Sequence, residues 1–266
     1  MTDRKARALF ITGTDTDVGK TAVTGGLAAA LRLQGLSAPV RCWKPVQTGH
    51  PPGSPQTDSA RLARIAGMPE GRNGAFATVT LPDPVAPWMA AERAKTAIDW
   101  DALVAEGRRL LAEGTTILIE GAGGLAVPVT ADRLIVHLAQ ALGVPLLIVA
   151  RARLGTVNHT VLSVHYARSL GLEVAGIVLN GAKPGEERER AENVRMIETF
   201  AGIPVVGVLD WMPEPDAAAQ EAEWERFRET WARHAAERLD WRRLGEYLFD
   251  DDKQEMIIDR CGGIAP

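Results

Sequence analysis

The strongest constraint on the fold is a short segment near the amino terminus. Residues 13–21 read GTDTDVGKT, which fits the pattern G-x-x-x-x-G-K-[ST], and they follow an apolar run at residues 8–11. Its two glycines let the backbone wrap so that several N–H groups point at a phosphate, at the positive end of the following helix. In this pattern Lys20 reaches the β- and γ-phosphates, and the Thr21 hydroxyl binds Mg²⁺. The segment therefore predicts a phosphate-binding loop between a strand and a helix.

Apolar runs rich in β-branched residues recur along the chain, with helix-like segments between them. Six such runs lie at residues 8–12, 38–43, 115–119, 145–150, 174–179 and 204–209. Strands separated by long crossovers form parallel sheets whose faces are both covered. The pattern predicts an α/β fold of the P-loop NTPase type, with a doubly wound, mostly parallel sheet and helices on both faces.

Two of the helix-like segments carry a clear end signal. Residues 21–34 are rich in Ala and Leu and are followed by Gly35, and residues 100–113 are followed by Gly114. Glycine readily adopts the left-handed conformation that ends many helices, so we expect a helix in each segment. Residues 50–55 are predicted to be a surface loop, because their prolines fix the backbone and remove hydrogen-bond donors.

Unusual residues follow the ends of the predicted strands. In an open α/β sheet, ligands bind beyond the carboxyl ends of the strands. Six segments follow those ends, at residues 13–20, 44–49, 120–124, 151–158, 180–181 and 210–214. We expect these segments to converge on one edge of the sheet.

Toward the carboxyl terminus the composition shifts to alternating Ala, Glu, Arg and Trp. We expect one α/β domain at residues 1–215 and a helical extension at residues 216–266, with its last residues disordered. Within the extension, Trp224, Phe227 and Trp231 have the spacing of an amphipathic helix. That helix either packs on its own domain, which we favour, or forms a contact between subunits.

Charge and cysteine content narrow the class of protein. The chain has 30 basic and 34 acidic residues and no dense basic block, which argues against nucleic acid as its main partner. No apolar stretch approaches the ~18 residues of a membrane span, and the apolar run before Gly13 is only four residues long. Cys42 and Cys261 lie outside any metal-binding spacing, and we expect Cys42 to be a core residue. The expectation is a soluble cytoplasmic protein with no membrane partner.

Two acidic residues are candidates for holding a metal ion with Thr21. Magnesium bound to nucleotide phosphates takes a loop hydroxyl and one or two carboxylates at strand ends. Glu120 ends an apolar strand, and Asp58 follows the proline-rich loop. The alternative for Glu120 is a solvated acid at the strand end. The alternative for Asp58 is a helix N-cap, which would be preferred if Asp58 were considered alone.

Lys44 is a second candidate cation for the phosphates. It follows an apolar strand and precedes Pro45, at the edge where Lys20 is expected. Two lysines around one phosphoryl group would stabilise its charge as it moves from nucleotide to acceptor. Considered alone, a lysine in this position is more often solvated.

Together these residues resemble the dethiobiotin synthetase family. The matching segments occur in the family's order, at residues 12–21, 43–49, 58, 84–87, 120–124, 153–159 and 178–180. The resemblance implies an ATP-dependent cyclo-ligase of biotin biosynthesis that carboxylates 7,8-diaminopelargonate with CO2 or bicarbonate and closes the ring. The products are dethiobiotin, ADP and phosphate. The implied route passes through a carbamate and a carbamic-phosphoric anhydride, with no covalent enzyme nucleophile.

The resemblance also implies roles for individual residues. Lys20 and Lys44 would be catalytic, and Mg²⁺ would be held by Thr21, Asp58 and Glu120. ATP contacts are implied for Thr14, Asp15, Thr16, Asp17, Val18, Gly19, Lys20, Thr21, Asp58, Glu120, Asn180, Leu209, Asp210 and Trp211. Contacts with the diamine are implied for Thr16, Lys44, Thr48, Gly121, Ala122, Gly155, Thr156, Val157 and Asn158.

The last four of these residues would form a helix N-terminus that receives the substrate carboxylate. In the family this contact crosses a homodimer interface, so that the active site lies between two subunits. Free N–H groups and the helix dipole both favour an anion at such a position.

Two other functions are compatible with a phosphate-binding loop in this fold. A cobyrinic-acid-type amide-forming synthetase usually carries a glutaminase domain with a reactive cysteine, and neither cysteine of this chain has a suitable context. A partner-regulated ATPase switch commonly carries an additional lysine early in the loop, where this chain has Thr14 and Asp15. A switch would hydrolyse ATP in response to a protein or membrane partner, whereas a synthetase would need the diamine and bicarbonate.

Overall fold

The computed structural model describes residues 7–33 and 39–249. The strands are β1 (Ala8–Gly13), β2 (Val40–Thr48), β3 (Ala75–Leu81), β4 (Thr116–Gly124), β5 (Leu146–Arg151), β6 (Val174–Ala182) and β7 (Val205–Asp210). The helices are α1 (Lys20–Leu33), α2 (Asp58–Ala66), α3 (Pro87–Arg93), α4 (Trp100–Ala112), α5 (Ile135–Leu142), α6 (Thr156–Ser169), α7 (Glu187–Ala201), α8 (Glu221–Arg238) and α9 (Trp241–Leu248).

The strands form one sheet in the order β3-β2-β4-β1-β5-β6-β7. Every neighbouring pair is parallel, so the carboxyl ends of the strands lie at the same edge. The chain first moves outward from β1 to β3, returns to β4 beside β1, and then continues on the other side with β5. In open α/β sheets, ligands bind at such a reversal of strand order. The loop after β1 therefore lies at the centre of the expected ligand edge.

Two apolar clusters cover the two faces of the sheet. Along β1, Leu9 and Ile11 belong to one cluster and Ala8 and Phe10 to the other, as the two-residue period of a strand requires. Helices α1, α2, α8 and α9 contribute to the first cluster, and α3 to α7 contribute to the second. This arrangement confirms the predicted doubly wound α/β fold.

The sheet contains one strand that the sequence does not predict. All six predicted strands are present, and β3 is the seventh. Because β3 lies at the edge of the sheet and its residues 77–80 are only partly covered, it lacks the continuous apolar run that marks a buried parallel strand. Strands β2 and β4 also extend further toward the carboxyl edge than predicted, so that they include Lys44 and Glu120.

Several local predictions can be compared directly with the structure. Both predicted helices are present, as α1 and α4. Gly114 follows α4 with a φ of 71°, as expected of a glycine cap, whereas Gly35 lies outside the described residues. Residues 50–55 contain neither helix nor strand. Cys42 is buried in the core, as predicted. Among the described residues, no helix has the length and apolar character needed to cross a membrane.

The carboxyl-terminal helices pack on the same domain. The Trp231 ring of α8 is 2% exposed, and its Nε1 donates a hydrogen bond to the Ala22 carbonyl of α1 at 2.8 Å. Gly26 makes this approach possible, since a Cβ atom there would lie 2.7 Å from the indole nitrogen. The interpretation that this helix packs on its own domain is confirmed. The division of the chain at residue 215 stays a prediction, and residues 250–266 lie outside the described part of the chain.

Candidate functional site

The phosphate-binding loop joins β1 to α1 at the centre of the carboxyl edge. Gly19 has a φ of 90°, and a Cβ atom on it would lie 2.0 Å from Nδ2 of Asn180. A larger residue is therefore excluded both by backbone conformation and by space. The Asn180 amide itself donates to the Val18 carbonyl at 3.1 Å. This contact joins the end of β6 to the loop.

Lys20 is the first residue of α1, and its side chain turns back over the loop. Its Nζ atom donates to the Asp15 carbonyl at 3.0 Å, and the residue is 7% exposed. Burial, and then the nearby charge of Lys44, lower the pKa of Lys20 to about 8. The loop thus holds an ammonium group that is poorly stabilised by its present surroundings and would gain from a nearby anion.

Lys44 lies between two carboxylates. Its Nζ atom is 2.7 Å from Oε1 of Glu120 and 2.9 Å from Oδ2 of Asp58, and it donates to the Gly121 carbonyl at 3.0 Å. Lys44 is 2% exposed and Glu120 is fully buried. The alternative of a solvated side chain is therefore wrong for both residues.

The charges in this cluster stabilise one another. Burial alone would lower the pKa of Lys44, but Glu120 and Asp58 together raise it above its ordinary value. Burial would likewise raise the pKa of Asp58, but Lys44, Arg61 and Lys20 together lower it. At neutral pH the cluster therefore holds a protonated lysine and an ionised Asp58.

Asp58 is not the N-cap of its helix. Thr57 occupies that position, and its Oγ1 atom accepts a hydrogen bond from the Ala60 N–H. Asp58 is the first residue of α2, which leaves its carboxylate available to Lys44. The N-cap alternative for Asp58 is wrong by one residue, and the correction leaves its carboxylate within the site.

One carboxylate oxygen of Glu120 is available to bind a ligand. Its Oε1 atom accepts from the Thr21 hydroxyl at 2.9 Å, whereas its Oε2 atom is buried without a hydrogen-bond partner among the described residues. Carboxylate and hydroxyl oxygens are the ligands that Mg²⁺ prefers. No group of three or more His, Cys, Asp or Glu side chains in the described ranges is arranged to hold a metal ion. A magnesium ion at Thr21 and Glu120 would therefore need oxygens of its nucleotide as further ligands.

These side chains line a cavity of about 720 Å³, called here the main cavity. Of the residues predicted from the sequence, it brings together Thr16, Asp17, Gly19, Lys20, Thr21, Lys44, Thr48, Asp58, Glu120 and Ala122. Gly121 contributes the carbonyl that accepts from Lys44. The ends of β1, β2 and β4 and the start of α2 therefore supply one continuous site.

The main cavity also contains residues that the sequence analysis left without a role. Gln47 accepts from the Ser59 N–H at 2.9 Å and donates to the Thr80 hydroxyl at 2.8 Å, which ties the start of α2 to β2 and β3. Arg61 lines the same cavity. Arg61 could have been found from its spacing, since it follows Asp58 by three residues and so lies on the same side of a helix.

A second cavity of about 250 Å³, called here the small cavity, lies on the other side of the phosphate loop. It is lined by Thr14, Asp15, Val18, Arg151, Arg153, Leu154, Gly155, Thr156 and His159. Five of these lining residues are predicted site residues, namely Thr14, Asp15, Val18, Gly155 and Thr156. Val157 and Asn158 follow in α6 and line neither of the two cavities. Within one chain, residues 155–158 are not brought to the main cavity.

The implied ATP contacts at the ends of β6 and β7 also lie apart from both cavities. Leu209 is fully buried at the end of β7. The Asp210 N–H donates to Nε2 of His234 at 3.0 Å, and the Asp210 carboxylate lies 3.1 Å from the Arg190 guanidinium. Trp211 is 62% exposed.

Known proteins are similar to this chain over most of its length. A family profile described as an AAA domain matches residues 7–219. ATP-dependent dethiobiotin synthetases named BioD, from Bacillus cereus (strain B4264) and Bacillus thuringiensis (strain Al Hakam), are each 44% identical over 200 residues. That length is 75% of this chain and 81% of each relative. The BioD protein of Bacillus anthracis (strain CDC 684) is 43% identical over the same shares.

Solved structures resemble the chain at much lower sequence identity. A chain of the MinC:MinD cell division protein complex of Aquifex aeolicus is 16% identical, with 98% of both chains covered and a TM-score of 0.53. A ParA family ATPase from Chlorobium tepidum is 13% identical, with 96% and 98% of the two chains covered and a TM-score of 0.50. At these identities the likeness shows the fold alone, and it favours no second function.

Proposed function

The chain belongs to the dethiobiotin synthetase family, and we infer that it is an ATP-dependent cyclo-ligase of biotin biosynthesis. Its reaction converts 7,8-diaminopelargonate, CO2 and ATP into dethiobiotin, ADP and phosphate. The observation that carries this conclusion is the pair of buried lysines, Lys20 and Lys44, in a cavity that also holds Thr21, Asp58 and Glu120. The identity to BioD relatives, 44% over 200 residues, supports the same reaction.

Phosphoryl transfer requires positive charge around the moving group more than it requires a protein nucleophile. In the proposed route, one amine of the substrate takes up CO2 as a carbamate, and a carbamate oxygen attacks the γ-phosphorus of ATP. ADP leaves with the electrons of the broken P–O bond. The second amine then attacks the carbonyl of the mixed anhydride, loses a proton and expels phosphate as the ring closes.

The two lysines would act at different points of this route. Lys20 lies in the phosphate loop, so its ammonium group is placed to hold the β- and γ-phosphates of ATP. Lys44 approaches from β2 and stays protonated because two carboxylates surround it. We propose that Lys44 neutralises the carbamate and the transferring phosphoryl group, and that these anions replace part of its present contacts with Asp58 and Glu120.

We propose that Mg²⁺ is held by Thr21, Asp58 and Glu120 together with the phosphates. The unpartnered Oε2 atom of Glu120 and the neighbouring Thr21 hydroxyl fit a cation that takes oxygen ligands. When bound, the ion would supply positive charge that offsets the negative charge of the phosphates during transfer. The protein's own part is to hold the Asp58 and Glu120 carboxyl groups beside a protonated Lys44.

We propose a homodimer in which the amino terminus of α6 in one subunit receives the carboxylate of a substrate bound in the other. Residues 155–158 do not reach the main cavity of their own chain, and the Thr156 hydroxyl is buried without a partner among the described residues. Exposed apolar side chains nearby support a subunit contact, since Leu154 is 91% and Leu162 is 60% exposed. A cytoplasmic location, and the lack of nucleic-acid and membrane partners, stay predictions from composition.

The test is an incubation with MgATP, 7,8-diaminopelargonate and ¹³C-bicarbonate, followed by mass analysis. We expect dethiobiotin that carries one ¹³C atom, with one ADP formed per product. ADP without labelled product in the presence of both substrates would contradict the proposed function. Omission of the diamine serves as the control for uncoupled hydrolysis.

A further inference from the structure

The segment that follows β7 is held against α2 before the chain enters α8. We call residues 211–220 the strap; they contain neither helix nor strand. β7 lies at one edge of the sheet, whereas α8 packs on α1 and α2. The strap therefore passes from the side of β7 to the side of α2.

Two arginines of α2 hold the strap. The Arg61 guanidinium donates to both carboxylate oxygens of Glu214, at 2.9 Å from Nη2 to Oε1 and 3.1 Å from Nε to Oε2. One turn further along, Arg64 donates to the Ala217 carbonyl at 2.8 Å. The bidentate pair fixes both the position and the orientation of Glu214, because a planar guanidinium and a carboxylate match in geometry. Most exposed ion pairs lack this bidentate geometry and contribute little to stability.

The same helix face carries a residue of the site. Arg61 lies one turn after Asp58 and lines the main cavity. Arg61 and Asp58 also interact electrostatically, since each favours the charged form of the other. The strap, α2 and the carboxylate that contacts Lys44 are thus parts of one connected structure.

We propose that Arg61, which lines the main cavity, is a positioning residue for the nucleotide and acts by holding the strap against α2 through its pair with Glu214. This inference rests on the proposed function, in which the phosphates lie at Lys20, and on the family resemblance, which implies an ATP contact for Trp211, the first residue of the strap. Because Arg61 holds Glu214, the strap samples fewer conformations before ATP binds. Loss of the pair adds the ordering of the strap to the free energy that binding must supply.

The test compares Arg61→Gln and Arg61→Lys with the wild-type enzyme. MgADP is the binding probe, measured by titration calorimetry, and steady-state assays give kcat and the KM values for ATP and for the diamine. We expect Arg61→Gln to weaken MgADP binding about tenfold and to raise the KM for ATP similarly, with kcat changed less than about threefold. The MgADP affinity of Arg61→Lys should lie between those of the wild type and Arg61→Gln, because an ammonium group keeps the charge but cannot make the bidentate pair.

A matched control is Arg188→Gln on α7, whose ion pair with Glu192 is on the surface and whose side chain is 93% exposed. It should bind MgADP as the wild type does. The pairing itself is tested with Glu214→Gln, alone and combined with Arg61→Gln. Because the two residues act through one contact, the double variant should lose less affinity than the sum of the single variants.

Three results would overturn this inference. They are wild-type MgADP affinity in Arg61→Gln, additive losses in the double variant, or a fall in kcat with an unchanged KM for ATP. The last result would make Arg61 a catalytic residue. Failure of the proposed function would be recognised separately, because a wild-type enzyme that makes no dethiobiotin can still be titrated with MgADP.

Discussion

The Nζ atom of Lys44 lies 2.7 Å from Oε1 of Glu120, at the next position after the last paired residues of two neighbouring parallel strands. β2 and β4 are in register up to Trp43 and Ile119, so the residues that follow them are side by side. Burial of either charge alone would be costly, and each makes the burial of the other tolerable. The contact is thus both a feature of the sheet and the electrostatic centre of the site.

Lys44→Met should abolish most of the activity. The variant removes one of the two cations proposed at the phosphoryl group, and we expect a loss of at least about 10²-fold in kcat. It also leaves the buried Glu120 without its counter-ion, so the variant should unfold at a lower temperature. Diamine-dependent phosphate release measures the first effect and thermal unfolding the second. Lys95→Met, at an exposed position away from both cavities, is the control; a kcat near that of the wild type in Lys44→Met would contradict the assigned role.

Glu120→Gln should change the requirement for magnesium. The amide oxygen can still accept from Thr21 or Lys44, but the free Oε2 position becomes an NH₂ group that cannot bind a cation. We expect the Mg²⁺ concentration for half-maximal rate, at constant ATP, to rise at least about tenfold. Glu113→Gln alters a surface carboxylate paired with Arg41 and should leave the Mg²⁺ titration unchanged. An unaltered titration in Glu120→Gln would remove this residue from the metal site.

Binding of ATP should depend on pH through Lys20. Its pKa of about 8 is below the ordinary value of 10.5, mainly because of burial. Bound phosphates favour the protonated form, so MgATP should bind with uptake of a proton at about pH 8.5, and the KM for ATP should rise as pH increases above about 8. Calorimetry in two buffers with different heats of ionisation measures the uptake. A KM that stays constant from about pH 7 to 9.5, without proton uptake, would contradict this assignment.

Trp231 should be a major source of stability for the helix that follows the phosphate loop. The ring is buried on α1 and donates to the Ala22 carbonyl. We expect Trp231→Ala to lower the free energy of unfolding by ~3–5 kcal/mol. Trp231→Phe, which loses the hydrogen bond but keeps a ring, should lose ~1–2 kcal/mol. Both values come from urea unfolding curves.

The control for this prediction is Leu33→Ala on the same helix. Leu33 is 61% exposed, and its truncation should change the free energy of unfolding by less than ~0.5 kcal/mol. A Trp231→Ala variant as stable as the wild type would mean that α8 is not part of the domain's cooperative structure.

The sequence predicts the central part of the fold well and its edge less well. β1, β4, β5 and β6 are buried on both faces, so their apolar runs are unbroken and easy to recognise. β3 lies at the edge, where Thr78 and its neighbours are partly exposed, and the pattern is lost. The apolar pattern of a strand arises from its burial, so a strand that is only partly buried is easily missed in the sequence.

The site is predictable where its residues are neighbours in the sequence or follow strands. The phosphate loop, Lys44 and Glu120 could be assigned to the carboxyl edge because of the strands before them. The burial of Lys44 and Glu120 could not be predicted, because it depends on their contact with each other across 76 positions of the sequence. The Arg61–Glu214 pair spans 153 positions and follows from the path of the strap, which no local pattern specifies.

The most direct test of the central claim is phosphate release from MgATP and bicarbonate, with and without 7,8-diaminopelargonate. If Lys20 and Lys44 serve transfer of the γ-phosphoryl group to a substrate carbamate, release should depend on the diamine and equal the dethiobiotin formed. Phosphate release at the same rate without the diamine would contradict the claim and would favour a function in which ATP hydrolysis itself is the output.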